Sequence, residues 1–481
     1  MKRTHTDKSL IRNGFSLLIS SFLLSACGTL SQDHTETSSD DVSFWLTTGD
    51  RTSLLKEVDG VSFTNETNIP AVIEIDTARK FQTIDGFGYA LTGGSADLIN
   101  QKLDAAQRAA LLKELFLTDG SNIGISYLRV SIGASDLDDH VFSYCDLPPG
   151  KTDPELKNFT LKEDKENLIP VLKEILALNP EIKIMGSPWS APVWMKTNNL
   201  PKAGSLKPEF YDAYALYFVR YIQEMANEGI NIDAITLQNE PENPHNTPSM
   251  LMTAEEQAAF VRNSLGPAFE KAGIKTKIVV FDHNCDHPEY PIAILNDQEA
   301  RKYVDGSAFH LYIGEIDAMS KVHEAHPDKS LYFTEQWTSG EGEFHGDLRW
   351  HVKNLIVGAT RNWSRNVLEW NLAADPSFDP HTDDGGCTMC MGALTIGDSV
   401  TRNVSYYIIA HASKFVPPGS VRVASNITEG LHNVAFVTPD GKKVLVVVND
   451  NDSTKQFVIK SGTRFAASTL PAGAVGTFVW E

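Results

Sequence analysis

Two glutamates occupy matching positions in the chain. The stretch T-L-Q-N-E-P-E-N at 236–243 places Glu240 between Asn239 and Pro241 where an apolar run stops, and L-Y-F-T-E-Q-W at 331–337 ends a second run on Glu335. A carboxylate at the end of a strand can give or take a proton, or attack as a nucleophile. Two of them across one cleft are the minimal equipment for cleaving a glycosidic bond. The aromatic residues near the ends of other apolar runs fit that chemistry: Trp189 and Trp194 in S-P-W-S-A-P-V-W, Tyr312 in H-L-Y, Trp337 beside Glu335 and Trp370 in E-W-N. Their flat apolar faces can cover a pyranose ring while polar neighbours bond its hydroxyls. Trp194 and Trp337 suit a core as well as a cleft.

These groups need a scaffold that brings strand ends together. Eight short apolar runs qualify as strands: F-Q-T-I-D-G-F-G, I-S-Y-L-R-V, I-K-I-M-G-S, A-I-T-L-Q-N, K-I-V-V-F-D, S-A-F-H-L-Y, L-Y-F-T-E and V-L-E-W-N. Between them lie segments such as A-A-Q-R-A-A-L-L-K-E-L-F and Y-A-L-Y-F-V-R-Y-I-Q-E-M, whose apolar residues recur every three or four positions as in an amphipathic helix. Alternation of this kind over residues 81–405 predicts an α/β fold, a (β/α)8 barrel, in which functional groups gather at the C-terminal ends of the strands. Glu240 closes the fourth run and Glu335 the seventh. The barrel circle turns both toward one centre.

The flanks differ. V-S-F-W-L-T-T-G-D and A-V-I-E-I-D within 42–80, and N-V-A-F-V-T-P-D-G-K-K-V-L-V-V-V-N-D within 406–481, read as β-strands, the last with a Pro-Asp-Gly hairpin signal. They predict a small β-sandwich built from both chain ends. Residues 1–27 carry a basic start, an apolar stretch and Leu24-Ser25-Ala26-Cys27, which is similar to the lipobox of bacterial lipoproteins. Lipidation would then fall on Cys27, with 28–41 as a polar tether and with placement on a bacterial outer membrane, on its periplasmic or outer face. Membrane association would come only through that lipid.

The 481 residues carry 42 Lys plus Arg against 62 Asp plus Glu, a formal net charge of −20. Without clustered cations, nucleic acid is excluded as a partner. A neutral substrate fits. Beyond Cys27 only Cys145, Cys285, Cys387 and Cys390 remain, too few for a disulfide scaffold. C-T-M-C lacks a second ligand pair at zinc spacing, so a local disulfide or inert thiols are expected there. D-H-N-C-D-H at 282–287 reads as a loop facing substrate rather than a metal site, and His310 as a support for the cleft. Glu315, Glu341 and Glu343 read as surface acids. No cofactor and no metal are expected.

The ordered set D-G-F-G-Y-A-L-T, Y-L-R-V, S-P-W-S-A-P-V-W-M-K-T-N, N-E-P, F-H-L-Y, F-T-E-Q and W-N-L-A, followed by H-A-S-K-F-V-P-P-G-S, resembles glycoside hydrolase family 30. That group includes lysosomal glucosylceramidase and microbial β-1,6-glucanases. The resemblance implies a retaining hydrolase of β-glucosides with Glu240 as acid/base and Glu335 as nucleophile. It also implies that Arg129 and Tyr312 hold Glu335 ionised, that Asn239 bonds the sugar 2-hydroxyl, and that Asp136, Trp189 and Trp370 contact the bound glucose. Glu242 is expected to support or be solvated. Ionised Glu335 should keep its neighbour Glu240 protonated.

Two departures bear on substrate. Thr92–Ser95, T-G-G-S, stands where the family often has an Asp, and H-T-D-D-G-G-C-T-M-C-M-G at 381–392 lacks the amide that completes the sugar pocket of glucosylceramidase. A β-1,6-glucan or related β-glucoside is the expected substrate, with glucosylceramide as the alternative. A carbohydrate-binding surface lipoprotein without catalysis is the reading from another class, and the retention of Glu240, Glu335, Arg129 and Asn239 together argues against it.

Overall fold

The computed structural model describes residues 41–481, so the lipobox expected at Cys27 and nearly all of the tether expected at 28–41 lie outside the described residues. Eight strands close into a barrel: β1 (Gly86–Ala90), β2 (Tyr127–Ser131), β3 (Lys183–Ser187), β4 (Ala234–Thr236), β5 (Lys277–Cys285), β6 (Val304–Gly314), β7 (Ser330–Glu335) and β8 (Ser364–Asn371). Every neighbouring pair is parallel. Each predicted run contributes to one of them. The first run is an exception in part: Phe81–Thr83 ends the long sandwich strand Val72–Thr83, and only the glycine-containing half enters the barrel. Ile84 and Asp85 separate the two, so one apolar run serves two sheets.

Helices between strands form where the pattern asks for them. Ala105–Phe116 begins with a capping box, in which Asp104 accepts from the backbone of Ala106 and Gln107 while the Gln107 side chain accepts from the Asp104 backbone. Its buried residues Leu111, Leu112, Leu115 and Phe116 face inward at three- and four-residue spacing. Tyr211–Asn227 buries Tyr214, Tyr217, Phe218 and Tyr221 in the same way.

Inside the barrel, Tyr127, Met185, Ala234, Val279, Ala308, Tyr332 and Leu368 form one apolar layer, a single residue from each of seven strands. Above it, toward the C-terminal mouth, the inward positions become polar. That layering follows from the period of two along a strand. The next inward residues after Tyr127, Met185, Ala234 and Ala308 are Arg129, Ser187, Thr236 and His310.

Strands from both chain ends join one ten-stranded hydrogen-bonded order that folds over its own core. Val42–Thr47 pairs with Val475–Trp480, while Val72–Thr83 pairs with Val421–Ser425 and with Lys455–Ser461. Phe457 meets Phe478 edge to face across that core at 5.7 Å. The sandwich is tied to the barrel by His411 on the buried helix Val404–Ser413, whose ring nitrogens lie 2.8 Å from Thr477 Oγ1 and from Thr47 Oγ1. Burial pushes this imidazole down to about 3, so it joins the two domains as a neutral group.

Candidate active site

Glu240 leaves β4 in a left-handed backbone conformation, φ 45°, which a non-glycine residue adopts at a steric cost. Neighbouring backbone holds it there. Asn239 N–H donates to Pro188 O at 2.7 Å, Glu240 N–H to Asp282 O at 2.9 Å, and Asn243 N–H to Glu240 O at 2.9 Å. Pro241 then fixes the exit from the turn. The acid between an amide and a proline thus has a geometric role: the turn tips the carboxylate over the barrel mouth.

A second backbone device lies on β5. Val279 points into the barrel and Val280 out, so alternation predicts Phe281 inside and Asp282 outside. Instead, Phe281 and Asp282 are both left-handed, at φ 71° and 68°, and the pairing with β6 shifts between Ala308 and Phe309. This bulge returns Phe281 to the outer core, where it packs on Phe309 and Tyr290, and turns Asp282 inward. Asp282 is fully buried and accepts from five side chains: Arg129 Nη2 at 2.8 Å, Ser187 Oγ at 2.7 Å, Thr236 Oγ1 at 2.8 Å, Thr334 Oγ1 at 2.7 Å and His310 Nε2 at 3.1 Å. Burial alone would raise its pKa, yet Arg129 and His310 carry it far below the usual carboxylate range.

Around this buried anion the expected groups assemble. Arg129, also fully buried, donates Nη1 to Glu335 Oε2 at 2.5 Å and Nη2 to Asn239 Oδ1 at 2.7 Å. The amide oxygen of Asn239 is thereby committed, and what it can still offer is its N–H2, a donor suited to a hydroxyl. Tyr312 OH donates to Glu335 Oε1 at 2.9 Å. His310 Nδ1 lies 3.3 Å from Glu240 Oε1 and 3.6 Å from Glu335 Oε1, and Asn243 Nδ2 donates to Glu240 Oε2 at 2.6 Å. One oxygen of Glu240 and one of Glu335 are within 4.8 Å of each other.

The charges of this cluster act on one another. His310 is raised to about 9, because the carboxylates Glu335, Asp282 and Glu240 outweigh the burial that opposes its charge. Burial raises Glu335 against the pull of His310 and Arg129, while Glu240, also buried, is carried below its ordinary value by His310. The two carboxyls form a coupled pair, each feeling the charge of the other and of His310. The cations Arg129 and His310 face the carboxyl groups of Asp282, Glu335 and Glu240.

Glu240, His310 and Glu335 could each offer one donor atom to a metal ion. Both ring nitrogens of His310 face carboxylates, and a protonated imidazole has no lone pair to give a cation. The donor set therefore fits an ion-pair network better than a metal.

The cleft is a cavity of about 510 Å³. Asp136, Trp370, Trp337, Cys387 and Cys390 line one side, with Glu242, Asn243, His283 and His287 on the side of Glu240. Asp136 is pushed up to about 8 by burial and by the charges of Glu335 and Glu240, so it stands protonated at neutral pH. Trp189 does not reach the wall. It is 2 % exposed and stacks behind Trp370 at 5.4 Å, with the Arg129 guanidinium 4.8 Å over its ring and its indole N–H unpartnered. Trp194 belongs to the core, where its N–H donates to Cys145 O and its ring meets Phe210.

Both departures acquire a structural place. Thr92 caps the helix Gly93–Asp97, and Ser95 Oγ donates to Ala373 O at 2.9 Å, linking the loops after β1 and β8. Cys387 and Cys390 form a disulfide on the cleft wall, and Cys390–Met391 pairs with Thr338–Ser339 just beyond Glu335. Glu315, Glu341 and Glu343 are exposed and outside the cleft.

Sequence reasoning missed Asp282, Ser187, Thr236 and Thr334 as the polar ring beneath the site. One signal pointed to Asp282: V-V-F-D ends a strand in an acid, as do the stretches ending in Glu240 and Glu335.

Comparison with known proteins identifies the family of both domains. Residues 84–416 match the Glycosyl hydrolase family 30 TIM-barrel domain and residues 419–478 the Glycosyl hydrolase family 30 beta sandwich domain. The chain is 35% identical over 426 residues to Endo-1,6-beta-D-glucanase neg1 of Aspergillus fumigatus, covering 83% of this chain and 85% of that one. It is 28% identical over 447 residues to Lysosomal acid glucosylceramidase of Mus musculus, covering 87% and 85% respectively. Among solved structures, the endo-beta1,6-glucanase BT3312 superposes with a TM-score of 0.86 at 37% identity, covering 92% of this chain and 99% of that one.

Proposed function

The chain belongs to glycoside hydrolase family 30, and from that premise we propose that it cleaves β-1,6-linked glucan within the chain, with retention, by double displacement. The observation that carries the stereochemical part is the approach of Glu240 and Glu335 to within 4.8 Å. Retaining enzymes hold their carboxyls about 5–5.5 Å apart, whereas inverting ones leave about 6.5–9.5 Å for a water. The substrate part draws on the endo-1,6-β-glucanases among the relatives.

In the first step Glu335 Oε attacks the anomeric carbon and Glu240 gives its proton to the departing glycosidic oxygen. In the second, Glu240 takes a proton from water, which attacks the same carbon and frees Glu335. Arg129 and Tyr312 orient Glu335 and stabilise its charge, and Asn239 donates to the sugar 2-hydroxyl. Protonated Asp136 can donate to an outer hydroxyl, and Trp370 covers an apolar ring face, with Trp189 packed behind it.

The first step requires a proton on Glu240. A pyranose ring brings developing positive charge at the anomeric carbon against Glu335, which favours the ionised form there and shifts the proton to its partner.

The glucosylceramidase reading is favoured by one observation, the similarity to the mouse enzyme over 87% of this chain. Product analysis over time separates the two, using protein without residues 1–27. Early oligosaccharides from β-1,6-glucan support the endo-glucanase, free glucose from glucosylceramide supports the alternative, and inactivity on both overturns the function proposed. Lipidation of Cys27 remains a proposal resting on the lipobox, tested by mass spectrometry of the mature N-terminus: an unmodified N-terminus beyond Cys27 would overturn it.

A further inference from the structure

A second cavity, of about 530 Å³, adjoins the cleft on the side of Glu240 and shares Glu242 and His287 with it. The shared residues form a rim: His287 Nδ1 lies 2.9 Å from Glu242 Oε2. Beyond the rim the loops after β4 and β5 form a groove. Pro241, Met252 and Tyr290 make an apolar floor, and Met252 and Tyr290 are 2 % and 7 % exposed. Tyr290 OH is tied to the Met252 carbonyl. Glu255 and Glu289 stand exposed along the edges.

The position of the groove assigns its occupant. The leaving group departs on the side of the acid, and Pro241 and Glu242 follow Glu240 directly, so the groove begins where the released part of the chain must go. A flat apolar floor edged by carboxylate acceptors suits a neutral polyhydroxylated chain and repels an anionic one. A 1,6-linkage has an extra rotatable C5–C6 bond, which lets such a chain turn over the Glu242–His287 rim.

We infer that this groove is a binding site for the leaving-group portion of a neutral 1,6-linked glucan, beyond the glucose unit that accepts the proton from Glu240. The inference rests on the endo-glucanase reading. A ligand filling both cavities is held on both sides of the scissile bond, as attack within a chain demands.

The test introduces Ala293→Trp, which places a large ring in the groove from an exposed helical position. The readout is the ratio of kcat/KM for a long β-1,6-gluco-oligosaccharide to that for an aryl β-glucoside, whose leaving group ends before the groove. The ratio should fall about tenfold, mainly through KM. An unchanged ratio in an enzyme whose wild type cleaves both substrates would sink this inference alone. A wild type inactive on both would sink the function proposed above, and this inference with it.

Discussion

The two mouths of the barrel are built from the same eight strands and handle charge in opposite ways. At the N-terminal mouth, Arg365 pairs with Asp85 and Lys183 with Asp233, and each pair keeps part of its surface in water. At the C-terminal mouth, Arg129, Asp282 and His310 have fully buried side chains, and Glu335 and Glu240 are nearly so. Water can replace a lost partner at the first mouth. At the second it cannot, so removing one charge strands another in low dielectric. The difference teaches that the charges at the C-terminal mouth form a unit whose members matter through one another.

The first way to test the comparison is at its functional extreme. Glu335→Gln should lower kcat by about 10^4-fold or more on any β-glucoside while leaving the fold intact, because no other group is placed to attack the anomeric carbon. Full hydrolysis by this variant would overturn the assignment. Glu240→Ala should slow substrates with poor leaving groups by about 10^2- to 10^4-fold and activated aryl glucosides much less. Equal losses on both substrate types would remove its role as the acid.

Asp282→Ala sharpens the comparison without touching substrate. It leaves Arg129 and His310 buried without their common anion, and should cost about 3–5 kcal/mol in chemical denaturation. A loss below about 1 kcal/mol would mean that the C-terminal mouth tolerates disruption as the other does.

Most of the scaffold was legible beforehand, for reasons visible in particular residues. Several of the apolar runs that form the barrel end on or near an acid, an amide or an aromatic residue, so Glu240 and Glu335 announced themselves together with Trp370 and Tyr312. Asp282 did not, because its inward aim depends on the left-handed pair at Phe281 and Asp282, a backbone feature that alternation alone does not disclose. Trp189 and Trp194 share one motif, yet one backs the cleft and the other fills the core. The charge of His310 was not legible either, because three carboxylates from different strands set it.

The pH dependence of stability offers a gentler probe. His310 is raised in the folded protein to about 9, so its contribution is complete below its unfolded value near 6.5 and disappears as pH rises through 9. Asp136, raised to about 8, acts in the same direction: stability falls as pH climbs from the ordinary Asp range through 8, because ionisation is opposed by burial and by the two glutamates. Thermal unfolding should show stability declining between pH 6.5 and 9, with a shallower decline in His310→Gln. Equal slopes would mean that this imidazole is not charged in the folded state.

The smallest effect belongs to the opposite mouth. Lys183 Nζ meets Asp233 Oδ1 at 3.1 Å with 40 % of the lysine side chain and 21 % of the aspartate side chain exposed. Asp233 Oδ2 also accepts from the Ile184 backbone at 3.0 Å, so the aspartate keeps a partner when the lysine is lost. Lys183→Met retains the packing of the aliphatic stem and should cost no more than about 1 kcal/mol, with kcat/KM unchanged. A loss as large as that expected of Asp282→Ala would mean that burial is not what separates the two mouths. The division between a structural end and a catalytic end would then need another cause.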